Sequence, residues 1–226
     1  MFRHLIFGNG SIQDYIISTL LTLPIILFSL SFHEMAHGFA AYKMGDPTAK
    51  NFGRLTLNPL KHLDPIGALC MLLAGFGWAK PVPINARNFK NPRIGMAISG
   101  AAGPISNLLL ALISALLLKL VFEISFFAFL PQIVISILFT FLLLSVQLNI
   151  SLAVFNLLPI PPLDGSRILY VFLPTKLYFG IMKYERIIYL ILMGALMLGL
   201  LSGVMNFITI WIMRGIFFIV GLNGII

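Results

Sequence analysis

Long apolar runs separated by short basic stretches organise this chain. Residues 13–43, 94–122, 131–158 and 187–203 are each apolar over the length a spanning helix needs, about 20 residues. A fifth run, 206–222, carries Arg214 and Gly215 within it. Between the first two runs lies the segment from Pro65 to Trp78, which is apolar but too short to cross as a straight helix. Glycines and prolines surround it, through Pro81 and Pro83, so it reads as a re-entrant or β-hairpin-like element at about 66–83. Non-helical backbone at membrane depth is tolerated only against protein or a wet cavity, and such an element could present an edge to an extended peptide. The expected fold is an all-α polytopic membrane protein with about five transmembrane helices plus this short element. One domain, 1–226, is expected, with a core at about 13–173 and C-terminal helices at about 187–222.

Composition sharpens this picture. Only 10% of the residues are charged, against roughly 25% in an average soluble domain. With 59% hydrophobic residues and a mean hydropathy of +1.01, the chain needs lipid as its solvent. The net charge of +8 is read as topology, because basic loops mark the cytoplasmic side. Lys43, Lys50, Arg54 and Lys61 precede the short element, and Lys80, Arg87, Lys90 and Arg93 follow it. Two crossings later come Arg167, Lys176, Lys183 and Arg186. If the element re-enters, all three groups share the cytoplasmic face. No basic run is long or interleaved with aromatics, so no nucleic-acid partner is expected. Cys70 is the single cysteine, which excludes an internal disulfide and a cysteine-based metal site and reads as a small buried apolar residue. The first apolar run continues into the polar motif described next, so no cleavable signal peptide is expected.

That motif is His33-Glu34-Met35-Ala36-His37, at the end of the first run. The pattern is a zinc hydrolase signature. On a helix, His33 and His37 share one face, so two imidazoles can grip one ion. Glu34 is offset and can reach a water at the metal. A catalytic zinc usually takes three protein ligands. His4 and His62 sit among loop-like residues and are weaker candidates than Asp164. Asp164 follows the third run in Asn156-Leu157-Leu158-Pro159-Ile160-Pro161-Pro162-Leu163-Asp164-Gly165. The prolines unwind that helix, and an acid there is costly in lipid unless paired or metal-bound. The charge pattern independently brings this segment to the same face as the histidines.

These motifs together resemble the site-2 protease family of intramembrane zinc metalloproteases, over about residues 28–167. The resemblance rests on His33-Glu34-x-x-His37 and on Leu163-Asp164-Gly165 with Asn156 upstream. Gly103-Pro104-Ile105-Ser106-Asn107 and the loop from Gly45 to Pro65 also match. The compact subgroup without PDZ or CBS domains is the nearest in form. The resemblance implies Zn2+ bound by His33, His37 and Asp164, with Glu34 as catalytic acid/base and Asn156 helping to hold the substrate carbonyl or its oxyanion. It further implies a transmembrane protein or peptide as substrate, the lipid bilayer as surroundings, and a bacterial or archaeal cell membrane as location, with the site toward the cytoplasm.

Other readings predict other features. A membrane metal-ion transporter would line at least two more spans with polar residues, yet 94–122 and 187–203 offer no buried acid. A non-catalytic scaffold that binds membrane proteins would carry a broken motif. Asn107, Gln147 and Asn149 read as helix–helix contacts, with a supporting role at the metal as the alternative for Asn107. Gly95, Ser99, Gly100 and Gly103 read as a small-residue face that permits close helix packing.

Overall fold

The computed structural model describes residues 12–67, 70, 79–124 and 129–222. Its helices are α1 (Ile12–Lys43), α2 (Thr48–Asn51), α3 (Pro92–Glu123), α4 (Gln132–Asn156), α5 (Asp164–Leu169), α6 (Thr175–Met182), α7 (Glu185–Met197) and α8 (Ser202–Val220). The helix ends follow local chemistry. The Asn91 side chain accepts the Ile94 N–H and Pro92 occupies the first turn, which starts α3. The proline run from Pro159 stops α4. His4 lies outside the described residues.

Among the described residues, four helices are long and apolar enough to cross a membrane: α1 from Thr19 to Lys43, α3, α4 and α8. The expected span at 187–203 is not among them. Its helix, α7, is 13 residues, about 20 Å, against a hydrocarbon core of about 30 Å. Gly199 ends it with φ of 72°. The Leu200 N–H reaches back to the Ala195 carbonyl and the Gly199 N–H to that of Leu196, a Schellman closure. Hydropathy alone reads through this stop because the residues around it are apolar. Conversely, Arg214 and Gly215 do not interrupt α8; Arg214 simply faces outward.

Helix α3 is central. Ala111, Ala115 and Leu118 on it, Val146 and Ile150 on α4, and Phe217 on α8 are almost fully buried in one cluster. Small residues on α3 let its neighbours close in, since dispersion between well-fitted faces holds helices together in lipid. Ser114 and Ser145 add an interhelical hydrogen bond of 2.9 Å, a contact worth about 0.6 kcal/mol on average. The outward residues, such as Leu109, Ile113, Ile133, Trp211 and Phe218, are large and apolar, as lipid contact requires. Gln147 is exposed on α4 rather than packed between helices, a correction to the sequence expectation, whereas Asn149 is buried as expected.

Most of the element at 66–83 lies outside the described residues, but its base is clear. Leu63 and Ala79 form an isolated antiparallel bridge, and the Lys80 N–H donates to the His62 carbonyl at 2.7 Å. The chain therefore leaves and returns on one side. His62 lies in the loop, as its neighbours suggest, but is buried there and donates from Nε2 to the Thr56 carbonyl. Cys70 is only half-buried. After Lys80 the strap Pro81-Val82-Pro83 lies against α1 at Gly38, where an added Cβ would sit 3.1 Å from Val82 Cγ1.

Asp46 pins this strap to the end of α1. It is fully buried, and its carboxylate accepts from the Thr48 N–H and hydroxyl, the Asn85 N–H and the Asn88 side-chain amide. Burial pushes the Asp46 carboxyl up, but these donors outweigh it and hold the pKa below its ordinary value of 3.8. A carboxyl depressed by folding stabilises the fold above its unfolded pKa, and that stability is lost as pH falls through the folded value. Asp46→Asn should therefore cost about 1–3 kcal/mol near neutrality and converge with the parent in strong acid. Thermal unfolding of both proteins in detergent from neutral pH to below 4 checks this; equal stability throughout would contradict it.

Candidate metal centre

Two elements deliver three side chains to one point. His33 and His37 lie one turn apart on α1, and Asp164 begins α5 directly after the proline run. His33 Nε2 and His37 Nε2 are 2.9 Å apart, and each is 3.1 Å from Asp164 Oδ2. All three residues are buried. The other carboxylate oxygen, Oδ1, is 3.8 Å from Arg167 Nη1.

The donor set fits a metal ion. His37 Nδ1 is 2.6 Å from the Ser99 carbonyl oxygen, which can only accept, so Nδ1 carries the proton. His33 Nδ1 meets Asn107 Oδ1 at 2.5 Å in the same way. In neutral imidazoles both Nε2 lone pairs then point at the carboxylate oxygen with no proton among them. Three acceptors at 2.9–3.1 Å repel unless a cation lies between them. The triangle is slightly tighter than the edges, about 3.3–3.4 Å, of a tetrahedron with metal–ligand bonds of about 2.0–2.1 Å, so a small outward shift of the three side chains seats an ion. His33, His37 and Asp164 are also the residues whose ligand atoms could hold a metal ion among those described.

Helix α3 presses on this centre. An added Cβ at Gly103 would overlap His37 Nε2 and lie 2.6 Å from His33 Cε1. One at Gly100 would lie 3.3 Å from the Asp164 carbonyl oxygen. The small-residue face of α3 thus packs as the sequence suggests, but at Gly103 it packs against the imidazoles themselves. At Gly165 a Cβ would run into the carbonyls of Leu157 and Leu158, so the turn presenting Asp164 requires glycine there.

Glu34 and Asn156 stand outside the triad. Glu34 Oε2 accepts the Val82 N–H at 2.8 Å. Pro81 and Pro83 have no N–H, so across 81–83 the one backbone donor is already taken by Glu34 and none is free for an added strand. Asn156 ends α4 and donates from Nδ2 to the Leu152 carbonyl at 2.9 Å. Sequence reasoning missed the Ser99 carbonyl and Val82, because backbone groups leave no mark in residue identity. The flanking prolines at 81 and 83 were the available signal for Val82.

Residues 123–201 match Peptidase family M50. Relatives of the chain carry the printed name "Putative zinc metalloprotease". YwhC of Bacillus subtilis is 46% identical over 170 residues, 73% of this chain and 71% of its own length. Rip2 of Mycolicibacterium smegmatis is 33% identical over 144 residues, 62% of this chain. This chain spans about half the length of Rip2 (52%). No solved structure matches. Identity of this order with YwhC across nearly three quarters of the chain decides the relationship: the chain belongs to Peptidase family M50, the family of the site-2 proteases.

Proposed function

We propose that this protein is an intramembrane zinc metalloprotease that hydrolyses a peptide bond within or near the transmembrane segment of a membrane protein. The observation that carries the reading is the convergence of His33 Nε2, His37 Nε2 and Asp164 Oδ2 inside a bundle with apolar outer faces. In this reading those three residues hold zinc, the metal in the printed names of YwhC and Rip2. Bound there, zinc lowers the pKa of water and polarises the scissile carbonyl. Glu34 keeps one carboxylate oxygen on Val82 and uses the other to take a proton from the attacking water, then passes it to the leaving amine. The second N–H of the Asn156 amide, not used by Leu152, is the donor for the developing oxyanion.

The setting supports this chemistry. Hydrolysis needs water, and lipid excludes it, so the site opens to one aqueous face. That face carries Lys43, Lys50, Arg54, Lys61, Lys80, Arg87, Lys90, Arg93, Arg167, Lys176, Lys183 and Arg186; only Arg3, Lys119 and Arg214 lie elsewhere in the sequence. By the positive-inside rule this is the cytoplasmic side of a cell membrane. A helical substrate must unwind there, because its carbonyls are otherwise hydrogen-bonded. Among the described residues the buried acids are Asp164 and Asp46, and Asp46 lies in a loop, which disfavours a transport path through the other spans.

Metal content tests the reading. The purified parent should hold about one zinc per chain, and His33→Ala and Asp164→Ala should each lose it. Zinc retained by Asp164→Ala would move the third ligand elsewhere and overturn this site.

A further inference from the structure

The two imidazoles are oriented by different kinds of partner. His37 Nδ1 donates to a backbone carbonyl, that of Ser99, which cannot turn over. His33 Nδ1 donates to a side-chain amide, Asn107 Oδ1. An amide is nearly symmetric in shape. Turned over, Asn107 would offer NH2 to Nδ1, move the imidazole proton to Nε2, and remove the lone pair that faces Asp164. Something must therefore fix which end of Asn107 meets His33.

Asn149 does this from a third helix. Asn107 Nδ2 donates to Asn149 Oδ1 at 3.0 Å, and Asn149 Nδ2 donates to the Ser145 carbonyl at 2.9 Å. The Ser145 carbonyl can only accept. It fixes the direction of Asn149, which fixes Asn107, which fixes the His33 tautomer. Asn107 is fully buried and Asn149 is 1% exposed, so water cannot substitute for either partner. We propose that Asn149, acting through Asn107, is a positioning residue that sets His33 Nε2 toward the metal. The inference rests on the reading of His33 as a ligand. Partners one step behind a ligand typically change metal affinity by about 10–100-fold.

The test is zinc affinity by chelator competition, with Co2+ absorption as a second readout, on purified full-length protein. Asn149→Leu removes the acceptor for Asn107 and should weaken zinc binding about 10–100-fold and change the Co2+ spectrum. Asn149→Asp, held neutral by burial, keeps that acceptor and still offers an O–H to the Ser145 carbonyl, and should bind as the parent does. A carboxylate at 107 has no wrong end, so Asn107→Asp combined with Asn149→Leu should recover parental affinity. A merely structural role for Asn149 predicts the reverse, with leucine tolerated in the bundle and the double variant worst. Zinc binding unchanged in Asn149→Leu, or weakened in both Asn149→Asp and the double variant, would overturn the proposal. That pair decides it even if Asn149→Leu alone does not fold. His33→Ala separates the two levels: if it keeps zinc, the ligand reading fails; if it loses zinc while Asn149→Leu binds normally, only the relay fails.

Discussion

Glu34→Gln should purify with the zinc content of the parent and cleave a transmembrane reporter about 10²–10⁴-fold more slowly, the usual contribution of a positioned acid/base. Glutamine matches glutamate in size, and its carbonyl oxygen can still accept the Val82 N–H, so the strap stays in place. What it lacks is an oxygen able to take a proton. Glu34 is next to His33 in sequence, yet it lies outside the triangle of ligand atoms and is turned toward the strap. Zinc binding and turnover should therefore separate in this one variant. A scaffold that only binds membrane proteins would be indifferent to it. Full cleavage by Glu34→Gln would remove Glu34 from the chemistry, and loss of zinc would place it among the ligands.

The parts of the fold legible in the sequence are those written in hydropathy and in helix punctuation. Residues 94–122 mark α3 to within two residues at its start, since Asn91 and Pro92 begin the helix where the apolar run begins. The stop at Gly199 was also written, but as one glycine inside an apolar run, where composition hides it. The three ligand candidates were legible because each is costly in lipid without a partner. That cost says a partner exists without saying which. The contacts behind the ligands were less accessible. Asn149 looks like any polar residue between helices until its distance to Asn107 is known. The Ser99 carbonyl and the Val82 N–H are backbone groups, present at nearly every position. Only the fold selects the ones that face His37 and Glu34.

The metal centre should be most sensitive at a position with no side chain. Ser99, Gly103 and Asn107 are spaced four apart on α3, so they share one face. The outer two hold the imidazoles of His37 and His33 by their Nδ1 protons. Gly103 lies between these anchors, and a Cβ there would overlap His37 Nε2 while lying 2.6 Å from His33 Cε1. Neither ring can withdraw without giving up its anchor or turning Nε2 away from Asp164. Gly103→Ala should therefore weaken zinc binding by at least about 100-fold, the upper end of what disturbed ligand positioning costs. Helix propensity runs the other way, because alanine favours a helix by about 1 kcal/mol over glycine. The loss is thus not a failure of α3 to form. Gly215→Ala is the matched control: it is also mid-helix, but an added Cβ there meets nothing within 4 Å. It should keep parental zinc affinity and a slightly higher unfolding temperature. Chelator competition on the two variants decides the matter, and parental affinity in Gly103→Ala would mean that α3 does not press on the imidazoles in the folded protein.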